Sequence, residues 1–268
     1  MIRIVTTSPP QTGIPYLGPV LFKAAEDMNP SKREKYMHKV IEAVIAEINM
    51  LSPNYTYIHL MPGHRDVRPF MWHDFLERCN YTYLVDLDPP LEEILAGFDK
   101  DARRLIRETG KKGLEFRESP DVDAFYEIMQ KRYAEQGLAI PIISPQYLSD
   151  LLEAFPENLR MYSLRHGDEI ISIVIVAIYH GKMIYWMGNP RISNGISGNE
   201  YLIWESILRA KAKGCKEFEI NGAGERRLYQ FKSKFNPRLE VCYVVYKKDR
   251  LGSMAEWAYA NFVKKIRA

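Results

Sequence analysis

The chain has 268 residues, 46% of them hydrophobic and 26% charged, with a net charge of +3. That length holds one large domain or two smaller ones, each with its own core, and the composition excludes a disordered or fibrous chain. So small a net charge gives no ground for DNA binding, and no apolar run is long enough for a membrane span.

Three cysteines, Cys79, Cys215 and Cys242, stand far apart with no CxxC pair, so neither zinc nor a disulfide framework is expected. The N-terminus lacks the apolar core of a signal peptide, and a cytoplasmic, reducing location is the expectation.

Residues 2–6 read as a strand ended by Ser8-Pro9-Pro10. Ser31 is placed to cap a helix from Lys32 to about Leu51, with Tyr36, Val40, Val44, Ile45 and Ile48 on one face. Tyr55 to Leu60 alternates as a strand, Asp66 to Cys79 predicts a helix broken near Pro69, and Tyr81 to Leu87 is a further strand. This order suits half of an α/β sheet domain, closed by Pro89-Pro90.

A charged helix is expected from Leu91 to Thr109. Lys100, Arg103, Arg104 and Arg107 lie three or four apart, so several share a face, and guanidinium forks suit phosphate or carboxylate oxygens. The same spacing suits a solvated face paired with Glu92, Glu93 and Glu108. A short strand at Glu115–Phe116 and helices at 122–135 and 146–155 follow. Met161–Arg165, Ile170–Tyr179 and Met183–Gly188 then form an antiparallel meander.

The loop 191–198, with Gly195 and Gly198 before Asn199, would offer backbone N–H groups to an anion at the start of the next helix. That helix carries Tyr201, Leu202, Trp204, Ile207 and Leu208 at core spacing and is capped by Gly214. A strand Glu217–Ile220 is broken by Asn221-Gly222-Ala223-Gly224. Next comes a basic, aromatic turn containing Arg226, Arg227, Tyr229, Phe231, Lys232, Lys234 and Phe235. A strand at 241–247 and a helix at 254–267 complete the reading. No nucleophile elbow is present, the six histidines are scattered, and no metal ligand set is expected.

Several of these stretches together resemble the FemAB-like peptidyltransferases, relatives of the GNAT acyltransferases. They are Asn199-Glu200-Tyr201-Leu202-Ile203-Trp204-Glu205, Ala210-Lys211-Ala212-Lys213-Gly214, Ile220-Asn221-Gly222, and Phe231-Lys232 followed by Phe235. The basic run Asp99–Arg107 leading to Gly110-Lys111-Lys112-Gly113 and the Gly18-Pro19 step resemble the family too. The resemblance implies an α/β (α+β) fold of two GNAT-like subdomains with mixed, mostly antiparallel sheets flanked by helices. The N-terminal one (1–90) would be truncated, and the C-terminal one (91–268) would carry acyl transfer.

It further implies transfer of an aminoacyl or other acyl group to an amine, in the family a cell-wall peptide precursor. The donor would be aminoacyl-tRNA, or acyl-CoA in the GNAT alternative, with no tightly bound cofactor. A non-catalytic module binding an anionic ligand is the reading from another class. Lys232 takes the catalytic position. Substrate contacts fall to Phe231, Tyr229, Arg103, Arg104, Arg107, Arg132, Asn221 and Gly222, and the phosphate loop to Gly195, Gly198 and Asn199.

Overall fold

The computed structural model describes the chain apart from residues 9–11, 15, 20–24, 26, 138–142, 191, 194–195 and 264–268. The first elements are β1 (Ile4–Thr6), α1 (Pro30–Met50), β2 (Tyr55–His59), α2 (Arg68–Met71) and β3 (Leu76–Asp86). The basic region holds α3 (Leu91–Gly97) and α4 (Lys100–Gly110), followed by β4 (Glu115–Glu118), α5 (Val122–Glu135) and α6 (Pro145–Ala154). The meander is β5 (Leu159–His166), β6 (Glu169–Tyr179) and β7 (Lys182–Pro190), with a ribbon of β8 (Ile192–Ser193) and β9 (Ile196–Ser197). Then come α7 (Asn199–Ala212), β10 (Glu217–Ile220), α8 (Arg226–Lys232), β11 (Arg238–Lys248) and α9 (Arg250–Ala258).

By packing, the chain divides into two compact units. Met1–Pro10, Ile14–Asn80 and Val241–Ala268 form one; Gln11–Gly13 and Tyr81–Glu240 form the other. The division therefore differs from the expected one at residue 90, and the segment from Val241 onward belongs with the first unit.

In the first unit β1 pairs parallel to β2, and β2 antiparallel to β11. α1 lays Ile41, Ile45 and Ile48 into a cluster with Ile58, Leu60, Phe70, Phe75 and Val245. Its cap is Asn29, not Ser31: the Asn29 side chain accepts from Lys32 N–H, with Pro30 in the first turn where its missing donor is harmless. The helix expected over 66–79 is one turn long. Residues 76–79 belong to β3, and because all four are exposed they carry no alternation to mark them as strand.

In the second unit the strands lie in the order β3-β10-β7-β6-β5-β4. The β7–β10 pair is parallel and its other neighbours are antiparallel. α4 and α7 cover one face through Ala102, Ile106, Leu202, Ile203 and Ile207, against Val174, Val176, Phe218 and Ile220. α5 and α6 cover the other through Phe125, Met129 and Leu148 against Met161, Ile173 and Ile175. The sheet is mixed, mostly antiparallel and flanked by helices, in keeping with the fold class expected.

Four boundaries differ from expectation. The charged helix is two helices, because Phe98 leaves helical geometry (ψ 155°) to bury its ring edge-on against Trp204 and Phe235. The 191–198 loop contains the β8–β9 ribbon, tied down by buried Ile196. The basic, aromatic turn is α8 followed by one 3-10 turn that delivers Phe235 to the core. The last helix begins at Arg250, where Asp249 caps it through Gly252 N–H at 2.7 Å.

Candidate active site

Among the described residues of the second unit, the one parallel strand pair sets the site. β7 and β10 are in register from Lys182↔Glu217 to Tyr185↔Ile220, and there the pairing stops. β7 runs on to Pro190 beside β6 alone, after a bulge between its partners Ile175 and Val176. Two neighbouring strands that part in this way leave backbone groups at their ends free for a ligand.

β10 is followed directly by Asn221 and Gly222. Gly222 has φ +84°, where a side chain would be strained, and a Cβ there would also lie 3.0 Å from Lys232 Nζ. The turn thus lets α8 fold back and lay its last residue against the end of the strand. Lys232 Nζ donates to the Asn221 carbonyl. Burial, with the Arg227 guanidinium nearby and only partly offset by Glu225, pushes its pKa down from 10.5 to about 8. The Asn221 side-chain amide nitrogen is itself buried, with no partner among the described residues.

Around Lys232, Phe231 turns toward the core and meets Phe235 edge-on at 5.5 Å, whereas Tyr229 is exposed. Lys234 Nζ lies 6.0 Å from the Phe231 ring and 3.5 Å from Glu200 Oε1. Glu200 stands in the first turn of α7 with its side chain only 6% exposed and Oε2 without a partner among the described residues. Sequence reasoning gave Glu200 no role. A glutamate after Gly198-Asn199 reads as an ordinary helix-start acid, and nothing in the pattern marks it as buried. Tyr185, at the point of divergence, carries a phenol pushed well above its usual range by burial.

Of the phosphate loop, Gly195 lies outside the described residues. Gly198 precedes α7 with no side-chain cap, and a Cβ on it would stand 2.8 Å from Ser172 Oγ and 3.1 Å from Leu164 and Ile171, so this glycine seats the helix on β5 and β6. Asn199 opens the helix beside it.

The basic helix divides by residue. Arg103 donates to the carbonyls of Ala96 (2.7 Å) and Phe98, closing the end of α3. Arg104 pairs along its own helix with Glu108 at 3.0 Å and Asp101 at 3.7 Å. Arg107 is exposed with no ion pair among the described residues, and with Lys100, Arg103, Arg104 and Glu108 it lines an open cavity of about 490 Å³. Arg132 pairs with Glu135 at 2.8 Å at the end of α5. One residue past Glu135, Gln136 accepts from Arg227 at 3.3 Å, which brings this end of α5 to the start of α8.

In the first unit, Glu34, His38 and Asp66 bring ligating atoms within 4.8 Å of one another. The Arg68 guanidinium is already seated there, 2.6 Å from Glu34 and 2.7 Å from Asp66, where a cation would stand. Among the described residues no helix is long and apolar enough to cross a membrane.

A family model described as an acetyltransferase (GNAT) domain matches residues 96–233, just over half of the chain. Among solved structures, FemX is similar with a TM-score of 0.66 at 10% identity, over 88% of this chain and 82% of its own. The C-terminal domain of a putative lysylphosphatidylglycerol synthetase from Agrobacterium fabrum gives 0.61 at 12% identity, over 82% and 75%. L-PGS from Bacillus licheniformis gives 0.56 at 15%, over 81% and 75%. At such identities the likeness is one of fold. No curated protein matches.

Proposed function

The chain belongs to the acetyltransferase (GNAT) domain family, and from that premise we propose that it transfers an aminoacyl group to an amine with Lys232 as the catalytic residue. The observation that carries this assignment is the desolvated ammonium at the end of β10, held by the Asn221 carbonyl beside a turn only glycine fits well. Asn221 is the one hydrogen-bond partner of the ammonium among the described residues, which leaves two N–H groups to meet an acyl oxygen.

In the transfer, the amine nitrogen attacks the acyl carbon and the new C–N bond forms as the bond from that carbon to the leaving oxygen breaks. Negative charge gathers first on the carbonyl oxygen and then on the leaving oxygen. A buried cation meets that charge with little solvent to screen it, and a group of this kind is worth about 2.7–4 kcal/mol in the transition state. With a pKa near 8, Lys232 can also hand its proton to the leaving oxygen and take one from the amine, so that the protons balance over the cycle.

Glu200 favours the aminoacyl donor over acyl-CoA. A pyrophosphate on the first turn of α7 would stand against a buried carboxylate, whereas the ammonium of an aminoacyl group would be drawn to it. The phosphates of such a donor would use Arg107 and Lys100 on the open side of α4. The acceptor amine is proposed to belong to a cell-wall peptide precursor.

The test is a transfer assay with radiolabelled aminoacyl-tRNA or acetyl-CoA as donor and UDP-linked peptide precursors as acceptors. Product with the tRNA donor, reduced roughly 10²–10³-fold in Lys232→Met, is the expected result. Product with acetyl-CoA alone would overturn the donor assignment, and undiminished transfer by Lys232→Met would overturn the residue's role.

A further inference from the structure

Glu200 is a charge that the core does not need. It opens α7 next to Leu202 and Ile203, which are 0% and 1% exposed, and its own side chain is nearly as buried. The positive end of a helix favours a carboxylate, but it does so equally for one left in water, where both oxygens are hydrated. Once buried, each oxygen needs a partner of its own. Oε1 has Lys234 Nζ at 3.5 Å, and Oε2 has no partner among the described residues.

Lys234 meets this carboxylate incompletely. A bond from an ammonium to a carboxylate closes to about 2.7–2.9 Å, so a contact of 3.5 Å neutralises charge without a strong hydrogen bond. The two ends of Lys234 differ in freedom. Its carbonyl accepts from Asp99 N–H at 2.8 Å, which fixes its backbone at the start of α4. Its side chain is 28% exposed, on a stem of rotatable bonds, with the ammonium 6.0 Å from the centre of the Phe231 ring. Phe231 and Lys232 lie just before it, so one short stretch of chain brings a cation to the end of β10 and another to Glu200.

Stripping a buried carboxylate of its partner is strongly unfavourable, whereas exchanging one ammonium for another keeps the charge balanced. Resting on the aminoacyl-transfer reading above, we propose that Glu200 and Lys234 form a selector for a free ammonium on the acyl group. With no donor bound, Lys234 neutralises Glu200. The α-ammonium of an aminoacyl donor takes the open oxygen, Oε2, and repels the Lys234 ammonium toward solvent. The site therefore accepts α-aminoacyl groups with an unblocked amine. It turns away N-acylated ones, whose amide brings no charge to replace that of Lys234.

The experiment uses the full chain, a UDP-linked peptide precursor as acceptor, and tRNA charged with a radiolabelled amino acid. The charged tRNA is supplied as such or after N-acetylation with acetic anhydride. The free-amine donor is expected to be preferred at least about tenfold in kcat/KM. Glu200→Gln should erase that preference by weakening the free-amine donor toward the level of the acetylated one. Lys234→Met should lower KM for the free-amine donor, since its internal competitor is gone. Equal use of both donors by the wild type, or a preference that survives in Glu200→Gln, would overturn the selector and leave the transfer activity standing. A uniform loss with both donors in Glu200→Gln would also overturn it, as a purely structural role predicts. A KM that is unmoved or raised in Lys234→Met would overturn the exchange. Transfer from neither donor by the wild type would remove the proposed function, and this inference with it.

Discussion

A lysine ammonium removed from water is expensive to hold, and Lys232 is held so. Its pKa of about 8 lies below the ordinary 10.5, so between these values the unfolded chain binds a proton that the native chain does not. Stability contributed by this group therefore rises with pH from about 8 to 10.5, and below pH 8 its full destabilisation, on the order of 3 kcal/mol, is present. Lys232→Met keeps the length of the side chain and removes the charge. It should make the protein more stable than wild type at pH 7, with the gap closing as pH passes 10.5, as measured by urea unfolding across that range. A variant less stable at pH 7 would mean that the Asn221 bond outweighs desolvation. On the proposed mechanism activity should move the opposite way, falling as pH rises through about 8, since there the cation would be the working form. Gain of stability with loss of turnover is the signature of a strained functional group and not of a core residue.

At the scale of elements, two short approaches decide the site, and neither has a sequence signature beyond the glycine itself. Gly198 has an ordinary φ of −82°, so Gly198→Ala is disfavoured only by crowding against Ser172, Ile171 and Leu164. It should cost about 1–3 kcal/mol, read as a lower melting temperature with Lys232 chemistry otherwise intact. α4 separates in the same fashion. Arg103→Ala removes the donor to Ala96 and Phe98 and should destabilise, whereas Arg107→Glu should leave the melting temperature alone and, if the proposed donor is right, weaken tRNA binding in a salt-dependent manner. Equal binding by Arg107→Glu would return α4 to a solvated face. The periodicity of α5, α7 and the meander was plain in the sequence because each buries one regular face. The break at Phe98, the exposed start of β3 and the folding of 226–232 into α8 were not. Each depends on a tertiary contact: one ring between two others, a strand with four exposed residues, and a lysine reaching back to Asn221.

At the scale of the whole molecule, charge pairing is what the sequence conceals most. Lys211, which reads as a helix-end cation, donates instead to the carbonyls of Leu87 and Pro89. Glu219, one of four residues in an unremarkable strand, is fully buried, with Thr82 Oγ1 at 2.7 Å and Lys182 Nζ at 3.6 Å. An effect of this kind on pH stability belongs to Asp66. Hydrogen bonds from Arg68, and then from His38, hold its pKa far below 3.8 against the opposing effect of its partial burial. A carboxylate with a depressed native pKa contributes stability that is present above the unfolded value and lost as pH falls through the native one. Acid should therefore cost the wild type this contribution below about pH 4. In Asp66→Asn it is already absent at neutral pH, so the variant should be less stable than wild type at pH 7 and approach it at pH 2. Urea midpoints at the two pH values measure the difference. If the gap between variant and wild type were the same at both, the Asp66–Arg68–Glu34 cluster would be stabilising by packing and not by charge. Arg68, with both acids lost as partners at low pH, would then be the residue to replace next, since its guanidinium fills the place between them.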